Sequence, residues 1–382
     1  MDRSKWEYKK LGDICILLNG FAFKSEKYVD NGIRVMRITN VQKGEIVDDD
    51  PKFYPMSSQS EIQRYMLKEN DLLVSLTGNV GRVGLLQREL LPAALNQRVA
   101  CLRLKGDSTD LRYLFHLMNS DLFENECIVN SQGIAQKNMS TKWLSDYKLP
   151  VPPKEDQQRI VAELDCLNEM IAVKQKQLKE FDKLAQSIFY DMFGDDGGFE
   201  KVKLGDVVEV VSGLVDPNME PYCSQLHVSP ANIISGTNEI VNCIKAKDEG
   251  LISDKYPFKA GMVLYSKIRP NLNKVAVANF DGICSADMYP LTVLPKANNV
   301  FITKLLSSKQ FLEYAIKNSG RARMPKLNRE TLFSYSFKLP PLSLQQQFAE
   351  KISAIEAQKE LVKQSIAETQ ALLDYTMDKY FG

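Results

Sequence analysis

Apolar residues recur in steps of four and three along two stretches of this chain. In the first they fall at Ile160, Leu164, Leu167, Ile171, Leu178, Phe181 and Ile188, with Ala185 and Met192 on the same seam and Lys174 interrupting it. In the second they fall at Phe348, Ile352, Ile355, Val362, Ile366 and Leu373, with Tyr380 extending the seam and Lys359, Thr369 and Thr376 interrupting it. Such a repeat predicts two helices with coiled-coil seams. Pro152-Pro153 and Pro340-Pro341 stand just before them, and Gly194 and Gly382 just after, where helices start and stop. Each helix is then about 38 residues and about 57 Å long. One domain cannot cover a stripe of that length, so the two are expected to pack on each other. An antiparallel pairing is favoured because it alone treats both halves of the chain alike.

Elsewhere the pattern changes to short apolar or alternating runs. Residues 34–40, 71–76 and 98–104 read as strands, as do 262–266, 274–278 and 289–294. One helix is predicted near 111–127 and its echo near 300–317. The expected fold class is α+β: two mixed globular domains separated by two long helices that form an antiparallel coiled coil, with pseudo-two-fold symmetry.

The seam of the second helix is that of the first displaced by 188 residues, and Leu11-Gly12-Asp13 returns 193 residues later as Leu204-Gly205-Asp206. Internal repeats of this kind define the architecture before any single motif does. The predicted organisation is a first domain at 1–153, a first long helix at 154–194, a second domain at 195–341 and a second long helix at 342–382.

The net charge of +1 over 382 residues hides a partition. The domains are mildly basic, +2 for 1–153 and +3 for 195–341, whereas the helices together carry −4. That sign suits a polyanionic partner at the domains but does not establish one. Seven scattered cysteines without a C-x-x-C pair argue for reduced thiols and a cytoplasmic location, against disulfide or zinc frameworks. No apolar run is long enough for a membrane helix, and Met1-Asp-Arg-Ser-Lys-Trp6 has no apolar core behind it, so no secretory leader is expected.

Lys148-Leu-Pro-Val-Pro-Pro153 followed by Gln157-Gln158, its shortened copy from Lys338 to Gln347, the heptad helix behind each, and the Leu-Gly-Asp openings resemble the specificity subunits of Type I restriction–modification systems. The likeness spans essentially the whole chain. It implies two target-recognition domains, each reading one half of a split site in double-stranded DNA through the major groove, held apart by the antiparallel coiled coil. It also implies two modification subunits docked to form an adenine methyltransferase, with S-adenosylmethionine in those partners and no cofactor in this chain. Motor–nuclease subunits can join such assemblies. The second helix opening, Leu342-Ser-Leu-Gln-Gln-Gln347, lacks the acidic pair Glu155-Asp156 of the first, so the two docking surfaces need not be equivalent.

Side chains that hydrogen-bond base edges or clamp phosphates concentrate at matched places. In the first domain they are Asn79 and Arg82 in the glycine-rich stretch Thr77–Gly84, Gln97 and Arg98 before a strand, and Gln136 and Lys137. In the second they are Lys267, Arg269, Asn271, Asn273 and Lys274, then Arg321, Arg323 and Lys326. All are candidate DNA contacts, and each could instead be an ordinary loop residue. Gly78-x-x-Gly81-x-x-Gly84 lacks the spacing of a nucleotide loop.

His116 and His227 have no metal-ligand or acid–base spacing and read as structural residues, so neither catalytic nor metal sites are expected. No nucleophile elbow, P-loop, H-E-x-x-H or amino-methyltransferase element is present. The expectation is a non-catalytic DNA reader. The alternative is a coiled-coil adapter or scaffold that reads no DNA.

Overall fold

The computed structural model describes residues 3–131, 133, 137–194, 198–320 and 324–382. The chain divides into two compact units, Met1–Val173 with Ser365–Gly382, and Lys174–Gln364. The long helices span Lys154–Phe193 and Leu342–Phe381, 40 residues each. Each gives its first part to one unit and its remainder to the other.

In the first unit, strand Glu7–Lys10 pairs antiparallel with Lys148–Val151, which leads into the first long helix. Leu11 donates its N–H to the Tyr147 carbonyl at 2.8 Å, and a Cβ on Gly12 would lie 2.2 Å from Ser145 Oγ, which explains the glycine of the Leu-Gly-Asp motif. The second unit repeats this. Glu200–Lys203 pairs with Ser336–Leu339, Leu204 donates to the Tyr335 carbonyl at 2.8 Å, and Gly205 abuts Phe333.

A four-stranded sheet follows in each unit. Its strand order is Cys15–Asn19, Val99–Leu104, Leu72–Ser75, Val83–Leu85 in the first, and Val208–Val210, Met288–Val293, Val263–Ser266, Val275–Val277 in the second. The central strands are mostly apolar, with Ser75, Arg103, Ser266 and Thr292 toward their ends, because both faces are covered. Leu72, Val74, Ala100 and Leu102 enter one core, while Leu73, Val99 and Cys101 enter another. Val263, Tyr265 and Leu291 likewise separate from Leu264 and Met288. The second core of each unit lies under a smaller sheet with a parallel pair, Ile33–Met36 with Ala93–Leu95 and Leu226–Val228 with Gly282–Cys284.

The helix expected near 111–127 is two helices, Leu111–Met118 and Asp121–Val129, and its echo is Asn299–Ser307 and Lys309–Asn318. Ser120 and Ser308 break the runs by taking extended backbone and accepting the N–H of Phe123 and Phe311 as N-caps.

Both units pack this helix pair on the long helices. In the first, Ile160, Leu164, Leu167 and Ile171 share a core with Leu373, Tyr380 and Phe381, with Ile366 at its margin, and the Tyr380 hydroxyl donates to Glu163. In the second, Phe348, Ile352 and Ile355 share a core with Ala185 and Phe189, flanked by Phe181 and Ile188. Phe348 stacks edge-on with Phe193 at 5.2 Å, and Lys359 bonds Asp182 at 2.9 Å, so within this unit the helices run antiparallel. Leu178 and Val362 are half-buried.

Gln157 and Gln345 join helix to domain in the same way. Gln157 is fully buried, accepts the Asp110 N–H at 2.6 Å and donates to the carbonyls of Ser108 and Pro152. Gln345, also fully buried, accepts the Asn298 N–H at 2.8 Å and donates to Lys296 and Pro340. Asp110 and Asn298 are themselves N-caps of the first domain helices, so each glutamine secures a helix start.

Candidate nucleic-acid interface

Three segments meet at one end of the four-stranded sheet in each unit. In the first unit the strand Leu72–Ser75 runs into the loop Thr77–Arg82. Gly78 and Gly81 take left-handed φ of 75° and 80°, conformations that favour glycine, and Val80 is buried beneath the turn. The Ser75 hydroxyl holds the loop by donating to the Asn79 carbonyl at 2.5 Å and accepting the Arg82 N–H at 3.0 Å. Asn79 is thereby presented to solvent.

Main-chain bonds attach the other two segments. Gly78 donates to the Lys137 carbonyl at 2.9 Å and Met139 to Leu76 at 2.8 Å, while Leu76 donates to the Arg98 carbonyl at 2.9 Å. Lys137, Gln97 and Arg98 all expose their side chains. Arg82 is half-buried. Its guanidinium donates to the Gln42 side chain and lies 3.2 and 3.3 Å from the Asn79 amide oxygen when that amide faces it. Gln136 lies outside the described residues.

The second unit builds the same arrangement from different residues. Lys267 donates its N–H to Asp287 at 3.0 Å, Leu327 donates to Lys267 at 2.8 Å, and Arg269 donates to Pro325 at 2.8 Å. Arg269 and Asn273 both take left-handed backbone, φ 47°, on either side of the turn Pro270–Leu272. Asparagine adopts that conformation readily, whereas an arginine held there is strained, and such strain gathers at functional loops. Arg269, Asn271 and Lys326 are exposed, and Lys326 lies 3.6 Å from Asp287.

Two of the expected donors face inward. The Asn273 amide donates to the Ser307 carbonyl at 3.0 Å, and the Lys274 ammonium to the Pro230 carbonyl at 2.6 Å. They hold the loop rather than project from it. Lys267 is half-buried with its ammonium 5.4 Å from the Tyr289 ring centre, and burial pulls its pKa below the usual lysine range against the attraction of Asp287. Arg321 and Arg323 lie outside the described residues.

No sequence pattern pointed to Gln42 as the partner of Arg82, nor to the polar pairings of the two histidines. His116 is buried with Nε2 2.6 Å from Asp165, which Arg112 also bonds. Burial raises the Asp165 pKa, but the bonds from His116 and Arg112 outweigh it and hold the carboxyl at about 2. His227 pairs through Nδ1 with Glu249 at 2.7 Å. Among the described residues no cluster of histidine, cysteine and carboxylate side chains is placed to hold a metal, and no helix is long and apolar enough to cross a membrane. All seven cysteines are free thiols.

What the two loop clusters offer is a pair of solvent-facing ledges with the same main-chain frame and different donors. Arginine, lysine and amide side chains on such ledges match phosphates and base edges.

Comparison with known proteins bears on this frame. The family model described as Type I restriction modification DNA specificity domain matches residues 3–182 and again residues 197–371. The EcoDI specificity subunit of Escherichia coli is 30% identical over 165 residues, 43% of this chain and 36% of that relative. The MjaVIII specificity subunit of Methanocaldococcus jannaschii is 28% identical over 187 residues, 48% of this chain and 44% of the relative. The chain thus aligns with less than half the length of these two relatives. The putative MjaX specificity subunit of the same archaeon is 24% identical over 391 residues, 92% of this chain and 87% of the relative.

Two solved structures share the fold. One is the S subunit of a Type I restriction–modification system from M. genitalium, with a TM-score of 0.55 at 13% identity, covering 99% of this chain and 96% of that one. The other is a chain from a study of complex assembly and conformational transition in a type I R-M system, with a TM-score of 0.58 at 18% identity, covering 99% and 98%. With both halves matched by one family model, the chain belongs to the Type I restriction modification DNA specificity domain family.

Proposed function

We propose that this chain is a non-catalytic DNA-reading subunit. Each unit takes one half of a bipartite duplex site in the major groove. The paired long helices set the distance between half-sites and carry two modification subunits. Those partners, adenine methyltransferases, supply S-adenosylmethionine and the chemistry, and motor–nuclease subunits join them when the cell restricts as well as methylates. The complex works in the cytoplasm, beside its DNA.

One observation carries this reading: the same three-segment frame recurs in both units with different exposed donors, Asn79, Gln97, Arg98 and Lys137 in one, Arg269, Asn271 and Lys326 in the other. A shared frame suits a shared feature, the phosphate backbone, while divergent donors suit two different base sequences. An adapter that read no DNA would have no use for two dissimilar polar ledges at matched positions.

The test is duplex binding by the chain, alone and with modification subunits, across a salt series, followed by methylation-sensitive sequencing of DNA from cells carrying both. Steep salt dependence and methylation at one split sequence are expected. Salt-independent binding without sequence preference, or methylation unchanged by the presence of this chain, would support the adapter instead.

A further inference from the structure

We infer that the loop 20–27 of the first unit, with Arg64 and Arg98, forms an additional contact to the DNA phosphate backbone, and that the equivalent loop of the second unit, residues 213–221, forms none. The inference rests on the DNA-reading function proposed above and assigns this loop a role within it.

The loop is built onto the same ledge as Gln97 and Arg98. Phe21 donates its N–H to the Leu95 carbonyl at 2.8 Å, and its own carbonyl accepts the Gln97 N–H at 2.9 Å. A Cβ on Gly20 would lie 2.2 Å from the Asn96 carbonyl carbon, so the main chains touch with no room for a side chain. Beneath the loop the Phe21 ring packs 5.1 Å from Phe23 and 5.3 Å from Tyr65, and Phe23 packs 4.9 Å from Tyr54. The Arg64 guanidinium lies 4.7 Å from the Tyr65 ring centre and donates to the Tyr65 hydroxyl. A packed aromatic slab therefore runs from Gln97 and Arg98 at one side to Arg64 at the other.

Four cations flank these rings along the chain: Lys24 and Lys27 following Phe23, Arg64 beside Tyr65, and Arg98 beside Gln97. Lys24, Lys27, Arg64 and Arg98 are exposed, and among the described residues none is paired with a carboxylate. Glu26 is the one acidic residue within the loop. Uncompensated cations on a rigid support attract a polyanion without reading its bases.

The equivalent loop in the second unit has the opposite charge. It begins at Gly213, displaced from Gly20 by the same 193 residues that separate the Leu-Gly-Asp motifs, and reads Gly-Leu-Val-Asp-Pro-Asn-Met-Glu-Pro. No basic residue occurs in it. Asp216 accepts from Asn218 at 2.8 Å, and Glu220 from Cys223 and Ser224 at 3.0 and 2.9 Å. Two carboxylates beside a phosphate backbone would repel it. At this loop the two units thus differ, and the added phosphate contact belongs to the first.

The experiment measures binding of the full chain to a mixed-sequence duplex over a salt series, for the unaltered protein, for K24Q/K27Q, and for the same pair with R64Q. Affinity is expected to fall about tenfold at moderate salt, and the log–log salt slope to become shallower by about 0.9 for each phosphate that the variant no longer neutralises. The melting temperature of the double variant should not change, because both lysines are exposed. If the unaltered chain shows no salt-dependent binding, the DNA-reading function itself fails and this anchor with it. If it binds and the double variant keeps both affinity and slope, the loop assignment alone is overturned. A weaker affinity with an unchanged slope also overturns it.

Discussion

Lys359 places its ammonium 2.9 Å from Asp182 on the first long helix and 3.0 Å from Glu239, with Glu356 at 3.2 Å. It occupies a seam position whose copy in the first helix is Ile171, and its side chain is only 2% exposed. Burial disfavours the charge, yet the carboxylates outweigh burial and hold its pKa above the usual lysine range. One lysine thus ties both helices to the domain. Replacing it by Met leaves three acids facing an apolar side chain, and a loss of about 2 kcal/mol is expected, since removing one partner of a buried pair costs more than the pair contributes. The check is the denaturant midpoint. K359M combined with E239Q should recover part of the loss, and no recovery would show that packing rather than charge was responsible.

Gln157→Leu and Gln345→Leu each remove three hydrogen bonds, one buried and two partly buried, and leave main-chain groups unsatisfied. A destabilisation of about 3 kcal/mol is expected for either. Hydrogen exchange should locate the first in residues 108–118 and the second in residues 296–307. Uniform loosening of the chain would count against the glutamines as local joints.

Asp165 predicts an acid-sensitive contribution. Its folded pKa of about 2 lies below its ordinary value of 3.8, so the stabilisation is present above about pH 4 and drains away as pH falls toward 2. With about a third of the side chain in water, its worth is about 1 kcal/mol after solvent screening. Acid titration of Asp165→Asn should lack this component; an unchanged acid profile would remove Asp165 as its source.

Arg269→Ala or Asn271→Ala should weaken recognition of one half-site by about 1–3 kcal/mol while sparing the other. Binding to duplexes altered in one half at a time measures this. Equal losses for both halves would contradict independent reading.

The long helices were legible because four-and-three spacing has one structural meaning, and the central strands because apolar runs of that length fit a sheet covered on both faces. The break at Asn119-Ser120 was not, since a serine inside an amphipathic run signals nothing until its neighbours show it capping Phe123. Gln157 was visible as part of a signature, but its role was hidden because Asp110 stands 47 residues away. The inward turn of Lys274 was hidden for the same reason, its acceptor Pro230 being 44 residues distant. Periodicity reports which face is buried; it does not report where a polar side chain finds its partner.

The glutamine joints have a consequence for how such proteins change. Every atom Gln157 and Gln345 grip is peptide backbone: one carbonyl just before the long helix itself, Pro152 or Pro340, and two groups at a domain helix start capped by Asp110 or Asn298. The socket is therefore indifferent to whatever chemistry the far side of a domain displays. A domain with other side chains but an Asx-capped helix in the same place would offer Gln157 or Gln345 the same backbone groups, so the joint constrains the helix start and leaves the rest of the domain free to vary.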